Sequence, residues 1–326
     1  MIKQTTGKIT DNQHISYDEA FDMVKAEVDR SLSASPLIIR EYTRHLALST
    51  GKLIRATSLL ACALSDNDLI NKDAVKLAAS IELIHLATLV HDDIIDNAEI
   101  RRGKASLQKK YGRRTAVICG DYLLCKALTT AADIEDKDGY AKGNIPDYMT
   151  RVCLGELNQH INNGNFNLSI YRYLKIIAGK TAALFEASFH GGAILAGEDP
   201  GNVKKYAKLG KYIGMIFQLT DDCMDYEATE QAAKKPVKSD YEQNVVTLPL
   251  IYAFRMVDSL KGKAIAGVAS KEDINHAVKS SGGLTYARLI AQKYYNKSLE
   301  IMDSMAVSDM KKEKLYSILN RAYRVF

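Results

Sequence analysis

Apolar residues recur at helical spacing along most of the chain, and no segment shows the strict alternation expected of paired strands. Polar breaks interrupt the pattern at Ser35-Pro36, 139–146, 162–165 and 197–202. Only five prolines occur in 326 residues, and this scarcity favours long helices. The pattern predicts an all-α fold in which a single domain, residues 1–326, contains ten or more helices.

Two helix starts are indicated by local signals. Ser16 followed by Glu19 is a capping-box pattern and predicts a helix from about Tyr17. Pro146 with Asp147 is typical of a second helix start.

Residues 74–100 are apolar on nearly every side, which is typical of a helix buried in the middle of a bundle. The segment nevertheless leads into the motif HDDIIDNAEIRRG. On a helix, His85, Asp92 and Asp96 share one face. Carboxylates one turn apart repel when partly buried, whereas Mg²⁺ binds carboxylate oxygens and bridges them to phosphate. For a single motif of this kind, the alternative is an exposed helix end with a chance run of aspartates.

A second acidic motif, IGMIFQLTDDCMDYE, has the same spacing in Asp221, Asp222 and Asp225, with Gln218 one turn earlier. Two such helices facing each other across a bundle make a cavity that holds several magnesium ions around one diphosphate. The remaining diphosphate oxygens need cationic partners. The candidates are Lys52, Arg55, Arg101, Arg102, Lys180 and Lys235.

Charge and cysteine content exclude several classes of protein. The net charge of +5 is not concentrated in a basic arm, so nucleic acid is not an expected partner. Five cysteines without a CxxC pair argue against disulfides or zinc and suggest buried thiols in a reducing cytosol. The first residues lack the apolar segment of a signal peptide, and the apolar runs are interrupted too early to span a bilayer. We therefore expect a cytoplasmic protein with no transmembrane segment.

Seven segments, in order from Gly51 to Leu250, resemble the trans-polyprenyl diphosphate synthase family. They are TGKLIRA, IELIHLATLVHDDIIDNAEIRRGKAS, AVICGDYLL, LGELNQ, AGKTAALFEAS, GMIFQLTDDCMD and KKPVKSDYEQNVVTLPL. The resemblance implies a helical bundle of isoprenoid synthase type around a central cavity. It also implies a magnesium-dependent, head-to-tail condensation of isopentenyl diphosphate with an allylic diphosphate of farnesyl or geranyl type.

The resemblance assigns roles to individual residues. The residues that it implies for isopentenyl diphosphate are Lys52, Arg55, His85 and Arg102. Those implied for the allylic carbon and its diphosphate are Arg101, Lys180, Thr181 and Gln218, with Lys235 as a further diphosphate contact. The implied ligands of up to three Mg²⁺ ions are Asp92, Asp96 and Asp221, and more weakly Asp225. The ions and cationic side chains then stabilise the departing diphosphate, and no protein nucleophile is required.

Two features bear on activity and product length. Asn244 stands where the family usually has a lysine, and Lys238 is a candidate substitute. Bulky aromatics close the product pocket early in short-chain members, but Ala87 and Thr88 are small here, so a long product is expected, with Ile84 as a deeper floor. A quinone side-chain precursor fits that length. The alternative is a shorter, geranylgeranyl-type product.

Several rival functions and assemblies follow from the same sequence. His91-Asp92 also fits a metal-dependent phosphohydrolase, but the other histidines form no ligand-spaced pair. A class I terpene cyclase is a second rival, but the symmetrical second aspartate motif argues against it. A non-catalytic subunit is a third rival, and the two intact aspartate clusters argue against that role. We expect a homodimer. The alternative is a heterodimer in which this chain is the catalytic subunit, inactive without a non-catalytic partner.

Overall fold

The computed structural model describes residues 13–47, 51–227 and 240–324. These residues are almost entirely helical, which confirms the predicted all-α class and the expected ten or more helices. The α-helices are α1 (Tyr17–Ser33), α2 (Leu37–Ala47), α3 (Ile54–Ala63), α4 (Lys72–Ile95), α5 (Leu107–Tyr111), α6 (Arg113–Ala132), α7 (Lys137–Gly143), α8 (Ile145–Asn162), α9 (Ile170–Ile177), α10 (Ala183–Leu195), α11 (Pro200–Glu227), α12 (Leu248–Met256), α13 (Asp258–Ile265), α14 (Lys271–Ser280), α15 (Gly283–Asp303) and α16 (Asp309–Tyr323). A π-helical turn, Ala178–Ala182, joins α9 to α10, and a 3₁₀ turn, Tyr241–Gln243, precedes α12.

Both predicted helix starts are present. Ser16 is the N-cap of α1, and its side chain accepts a hydrogen bond from the Glu19 N–H at 3.3 Å. Pro146 lies in the first turn of α8, where its missing N–H costs no hydrogen bond.

The expectation of no strand pair is wrong at two places. His14–Ile15 (β1) pairs with Ile70–Asn71 (β2), and Ile100–Arg101 (β3) pairs with Lys104–Ala105 (β4), both antiparallel. Each strand has two residues, which is too short for alternation to be visible in the sequence.

The predicted helix 74–100 is real, but it ends earlier, at Ile95. The Ala98 N–H donates to the Asp93 carbonyl at 2.8 Å, and Asn97 has a φ of 50°, so the backbone leaves the helix before β3. By length and composition α4 could cross a membrane, yet 67% of its apolar stretch is buried inside the protein. It packs against α1, α3, α6 and α10, as a core helix does.

The interior consists of two groups of buried side chains. One surrounds α4 with α1, α3, α6 and α10, and the other lies between α9, α12, α14 and α15. Helix α11 contributes to both, through Ile213 and Ile216 to the first and through Leu219 and Cys223 to the second. The second aspartate motif therefore lies on a helix that is held from both sides.

Helix α16 is fixed to the first group by a buried lysine. The Lys311 ammonium donates to the Leu64 carbonyl and pairs with Glu198, each at 2.8 Å. A buried charge is stable only with such partners. The anchored helix brings Arg321 and Arg324 to the side of the bundle where α4 and α11 carry their aspartates.

All five cysteines are free thiols, as predicted. The expectation that all are buried is wrong for Cys125 and Cys153, which are exposed on α6 and α8. They lie on outward-facing positions of helices that are otherwise partly buried.

Candidate active site

The first aspartate motif lies at the end of α4. Asp92 occupies the last turn and Asp96 is the C-cap, whose N–H donates to the Asp92 carbonyl at 2.8 Å. The pKa of Asp92 is raised to about 7, chiefly by burial, with the charge of Lys180 opposing the shift and the nearby carboxylates of Glu156 and Asp96 adding to it. Burial also raises the pKa of Asp96. At both carboxylates, burial therefore outweighs the positive charge of Lys180.

Asp93 has a different role because it is already paired. The Arg101 Nε donates to Asp93 Oδ1 at 2.8 Å. Arg101 is the last residue of β3, and Arg102 and Gly103 form the tip of the hairpin with φ values of 50° and 77°. This two-residue turn directs the neighbouring arginines to different places. Arg101 contacts α4, whereas the guanidinium of Arg102 lies against Gly51, where a Cβ would be 2.6 Å from Nη2.

Lys180 faces the first motif from the π-helical turn. Its ammonium lies 2.8 Å from Glu156 Oε2. Burial lowers the pKa of Lys180, but Asp92, Glu156 and Asp96 together raise it above its usual value. The π-helical turn packs directly on α8 at Gly155, where a Cβ would lie 2.2 Å from the backbone nitrogen of Lys180. The absence of that Cβ allows Glu156 to reach Lys180.

The second motif is linked to this turn by a chain of hydrogen bonds. Thr181 Oγ1 donates to Gln218 Oε1, and Gln218 Nε2 donates to Asp222 Oδ1, both at 2.6 Å. The Tyr173 hydroxyl donates to the other Asp222 oxygen at 2.5 Å. Burial raises the pKa of Asp222 to about 7, with a further contribution from Asp221 and Asp225 and despite these two hydrogen bonds. Both carboxylate oxygens of Asp222 thus accept hydrogen bonds from protein side chains.

The other two aspartates of this motif point elsewhere. Asp221 Oδ1 accepts a hydrogen bond from Arg324 at 2.9 Å. Asp225 Oδ2 accepts from the Asp240 N–H at 3.1 Å. Burial raises the pKa of Asp240 well above its usual range, and Asp222 and Asp225 raise it further. Asp240 therefore adds a fourth carboxyl group to this side of the site.

A second region is lined by cationic groups. A cavity of about 1020 Å³ is bordered by Lys52, Arg55, His85 and Arg102, and also by Arg321 and Arg324. Arg55 is buried, its guanidinium stacks on Phe185 at 4.7 Å, and its Nε has no hydrogen-bond partner among the described residues. Burial lowers the pKa of Arg55 to about 10, with Glu82 opposing and Arg102 adding to the shift. Such a cavity attracts an anion with several oxygens.

His85 is held neutral in this cavity. Burial lowers the pKa of His85 well below its usual value, and the charges of Arg55 and Arg102 lower it further. A neutral imidazole still offers one N–H donor, so His85 can bind an anion without adding to the repulsion between the arginines.

Residues of the two aspartate helices line the same cavities. A cavity of about 510 Å³ is lined by Asp92, Lys180, Thr181 and Gln218, and a narrower one of about 140 Å³ by Asp96, Asp222 and Asp240 with Lys180 and Gln218. Phe217 lines the first of these and also the 1020 Å³ cavity. The structure thus brings two acidic clusters together, next to a cationic cavity. The family model described as Polyprenyl synthetase matches residues 36–281 of this chain.

The chain belongs to the polyprenyl synthetase family. Heptaprenyl diphosphate synthase component 2 of Geobacillus stearothermophilus is 33% identical over 293 residues, which cover 88% of this chain and 90% of that protein. The crystal structure of heptaprenyl diphosphate synthase from Staphylococcus aureus superposes with a TM-score of 0.85 at 28% identity, over 95% of this chain and 99% of that one. A polyprenyl synthase from Caulobacter crescentus, complexed with calcium and isoprenyl diphosphate, gives a TM-score of 0.83 at 27% identity, over 94% of each chain. The predicted family, fold and enzyme class are confirmed.

The donor set of the family site fits a divalent cation. Within the described residues, no three His, Cys, Asp or Glu side chains form a metal-binding group by themselves. The carboxylates of Asp96 in the first motif and Asp222 in the second line one common cavity, however, whereas Asp221 and Asp225 line none of the three cavities. Hard cations bind such oxygens and complete their shell with water and phosphate. A divalent ion held between the clusters by a diphosphate is therefore compatible with these residues.

The structure also locates the residues predicted to set product length. Thr88 lines the 510 Å³ cavity, together with apolar side chains of Val152, Leu157 and Leu184. Ala87 and Ile84 are buried and do not line any of the cavities described above. Thr88 is thus the only one of the three that meets this cavity directly in the part of the chain that is described.

Some site residues lie outside the sequence prediction or outside the described chain. Glu156 and Asp240 belong to the quoted motifs LGELNQ and KKPVKSDYEQNVVTLPL, but their side chains were given no role. Arg321 and Arg324 lie beyond the last motif, so no local signal pointed to them. Lys235 and Lys238 fall outside the described residues, and the role of Lys235 stays a prediction.

Proposed function

We propose that the protein elongates an allylic diphosphate with isopentenyl diphosphate, in a magnesium-dependent reaction, to a long-chain all-trans polyprenyl diphosphate. The single observation that supports this most is the hydrogen-bond chain Thr181–Gln218–Asp222, because it joins the Lys180 turn to the second aspartate helix. Further support is that Asp96 and Asp222 line one cavity, and that Phe217 lines both the 510 Å³ cavity and the cationic cavity.

The acidic side is where the allylic diphosphate binds in this proposal. Mg²⁺, when bound, supplies positive charge to the departing diphosphate. The side chains that would hold the ions are Asp92, Asp96, Asp221 and Asp225. Lys180 adds a fixed ammonium at the same place, and Glu156 orients it. As the allylic C–O bond breaks, these groups stabilise the negative charge that develops on the leaving oxygen.

The cationic side is where isopentenyl diphosphate binds. Arg55, Arg102 and Lys52 neutralise its diphosphate, and neutral His85 contributes an N–H donor. Leu89 and Phe217 line both cavities and give the reacting carbons apolar surroundings. The alkene of isopentenyl diphosphate then forms the new C–C bond with the allylic carbocation. The proton lost from the adjacent carbon passes to the released diphosphate, which leaves a chain five carbons longer.

A long product, suited to a quinone side chain made in the cytoplasm, is part of the proposal. Its support is the small Thr88 at the cavity wall, beside the apolar Leu184 and Val152. The test is to incubate the purified chain with Mg²⁺, labelled isopentenyl diphosphate and farnesyl diphosphate and to size the products. Products beyond the geranylgeranyl length support the proposal. Products that stop there favour the shorter-chain alternative, and no elongation with or without a partner subunit contradicts both.

A second candidate concerns assembly: a homodimer, or a catalytic subunit that needs an unlike partner. It is favoured by exposed apolar side chains on α6 and α8, at Ile118, Leu128, Leu154, Leu157 and Ile161. Such surfaces are typical of protein interfaces. The Geobacillus relative is named as component 2 of its enzyme. Light scattering combined with an activity assay distinguishes the cases: an active dimer of this chain contradicts the two-component assembly, and an inactive chain rescued by a non-catalytic subunit supports it.

A further inference from the structure

The last described residue of the chain contacts the second aspartate motif. Arg324 follows α16 and has a left-handed backbone with a φ of 49°. Its Nη2 donates to Asp221 Oδ1 at 2.9 Å, and its guanidinium lies over the Phe217 ring at 5.4 Å. One oxygen of a proposed metal ligand is therefore already taken by a cation that belongs to the protein.

The position of Arg324 makes this contact more than a surface ion pair. Phe217 lines both the cationic cavity and the 510 Å³ cavity of Asp92, and Arg324 lines the cationic cavity. The Asp221 side chain is 53% exposed, whereas that of Arg324 is 24% exposed. Asp221 is thus open to an incoming ion, while the guanidinium rests on protein.

A divalent cation and a guanidinium compete for the same carboxylate oxygen, because their charges repel at contact distance. A partly exposed ion pair is weak, since water competes for both partners. Displacement of Arg324 from Asp221 therefore requires little free energy. By contrast, breaking a buried pair such as Lys311–Glu198 would leave an uncompensated buried charge. That buried pair keeps the rest of α16 in place, so only the end of the helix has to move.

We propose that Arg324 is a resident counter-ion of Asp221, which a divalent cation displaces when the metal–diphosphate complex assembles. Before the ion binds, Arg324 neutralises Asp221 and moderates repulsion within the second motif. After displacement, its charge is available to the cationic cavity. The inference rests on the proposed function, because that function makes Asp221 a metal ligand.

The test measures metal binding in the absence of turnover. Mn²⁺ is titrated into the full chain with inorganic diphosphate present, and free Mn²⁺ is followed by electron paramagnetic resonance. In Arg324→Gln, Mn²⁺ binding is expected to become about two- to fivefold tighter, because the competing cation is gone. Arg324→Lys should retain most of the competition. Unchanged or weaker binding in Arg324→Gln overturns the proposal.

Two variants control the measurement. Arg288→Gln removes another arginine that pairs with α11, through Glu227, but lies away from both cavities, so Mn²⁺ binding should not change. In an Asp221→Asn background, Arg324→Gln should give no further gain. A gain that persists there means that Arg324 acts through another group, and this also overturns the proposal.

The result is separable from the outcome for the proposed function. If the chain fails to elongate any allylic diphosphate but the Mn²⁺ shift appears, the counter-ion is supported and the synthase activity is not. If the chain is an active synthase without the shift, only the counter-ion proposal fails. Circular dichroism of each variant confirms that a changed affinity does not come from loss of the helical fold.

Discussion

The Lys180 ammonium and Glu156 Oε2 lie 2.8 Å apart, although they belong to different elements. The contact is made where α8 touches the π-helical turn, and both partners act on the pKa of Asp92, which Lys180 lowers and Glu156 raises. The charge of Glu156 therefore influences the pKa of a proposed metal ligand that it does not contact through a hydrogen bond.

Glu156→Gln should lower the pH at which half of the metal affinity is lost. Asp92 binds a cation only when ionised, and its pKa of about 7 means that affinity is lost as pH falls through that value. Removal of Glu156 lowers the pKa of Asp92, directly and by freeing Lys180 to face it. The apparent Mg²⁺ affinity, measured between about pH 5.5 and 8.5, should have a lower midpoint than in the wild type. Asp303→Asn, which removes an exposed partner of Lys312, serves as the control; an unmoved or higher midpoint in Glu156→Gln contradicts the coupling.

Asp92→Ala and Asp221→Ala should each lower the turnover rate by about 10²–10³-fold or more, as expected for loss of groups that act on developing charge. The helical circular dichroism signal should remain, because neither change leaves a large cavity. Asp22→Ala, on the exposed face of α1, is the matched control. Near-normal turnover in either site variant shows that the metal is held by other residues.

Gly155→Ala should disturb both stability and activity. The added Cβ would meet the backbone of the π-helical turn, which cannot yield as a flexible side chain can. Overpacking of this kind costs about 1–3 kcal/mol, and each kcal/mol lowers the Tm of a chain of 326 residues by about 1–2 °C. Gly262→Ala is the control, because a Cβ at that helical position meets nothing within 4 Å. Equal Tm values for the two variants argue against a close approach at Gly155.

Thr88→Phe should shorten the product by at least one isoprene unit, because the ring would fill the cavity between α4 and α8. Ala87→Phe is a useful contrast: Ala87 is fully buried, so the larger side chain should destabilise the core. Product analysis and thermal unfolding of both variants separate the two effects. A product distribution that is unchanged in Thr88→Phe places the floor of the pocket elsewhere.

The sequence was sufficient for features that depend on one helix at a time. The spacing of Asp92 and Asp96, and its repeat at Asp221 and Asp225, predicts shared faces because the helical period fixes them. The contacts of Glu156 and Arg324 were not predictable, since they depend on how α8 and α16 pack against elements far away in the chain. The end of α4 was misplaced because the apolar pattern continues past Ile95, whereas the backbone turns at Asn97.

The hairpin of β3 and β4 has a consequence for how this sequence can diverge. The side chain of Arg101 contacts Asp93 and that of Arg102 lies against Gly51, so two consecutive residues reach different parts of the site. Arg102 lies in the two-residue turn and has a left-handed backbone, so inserting or deleting one residue here would change the direction of both arginine side chains. Relatives that keep both arginine contacts should therefore keep the length of this hairpin.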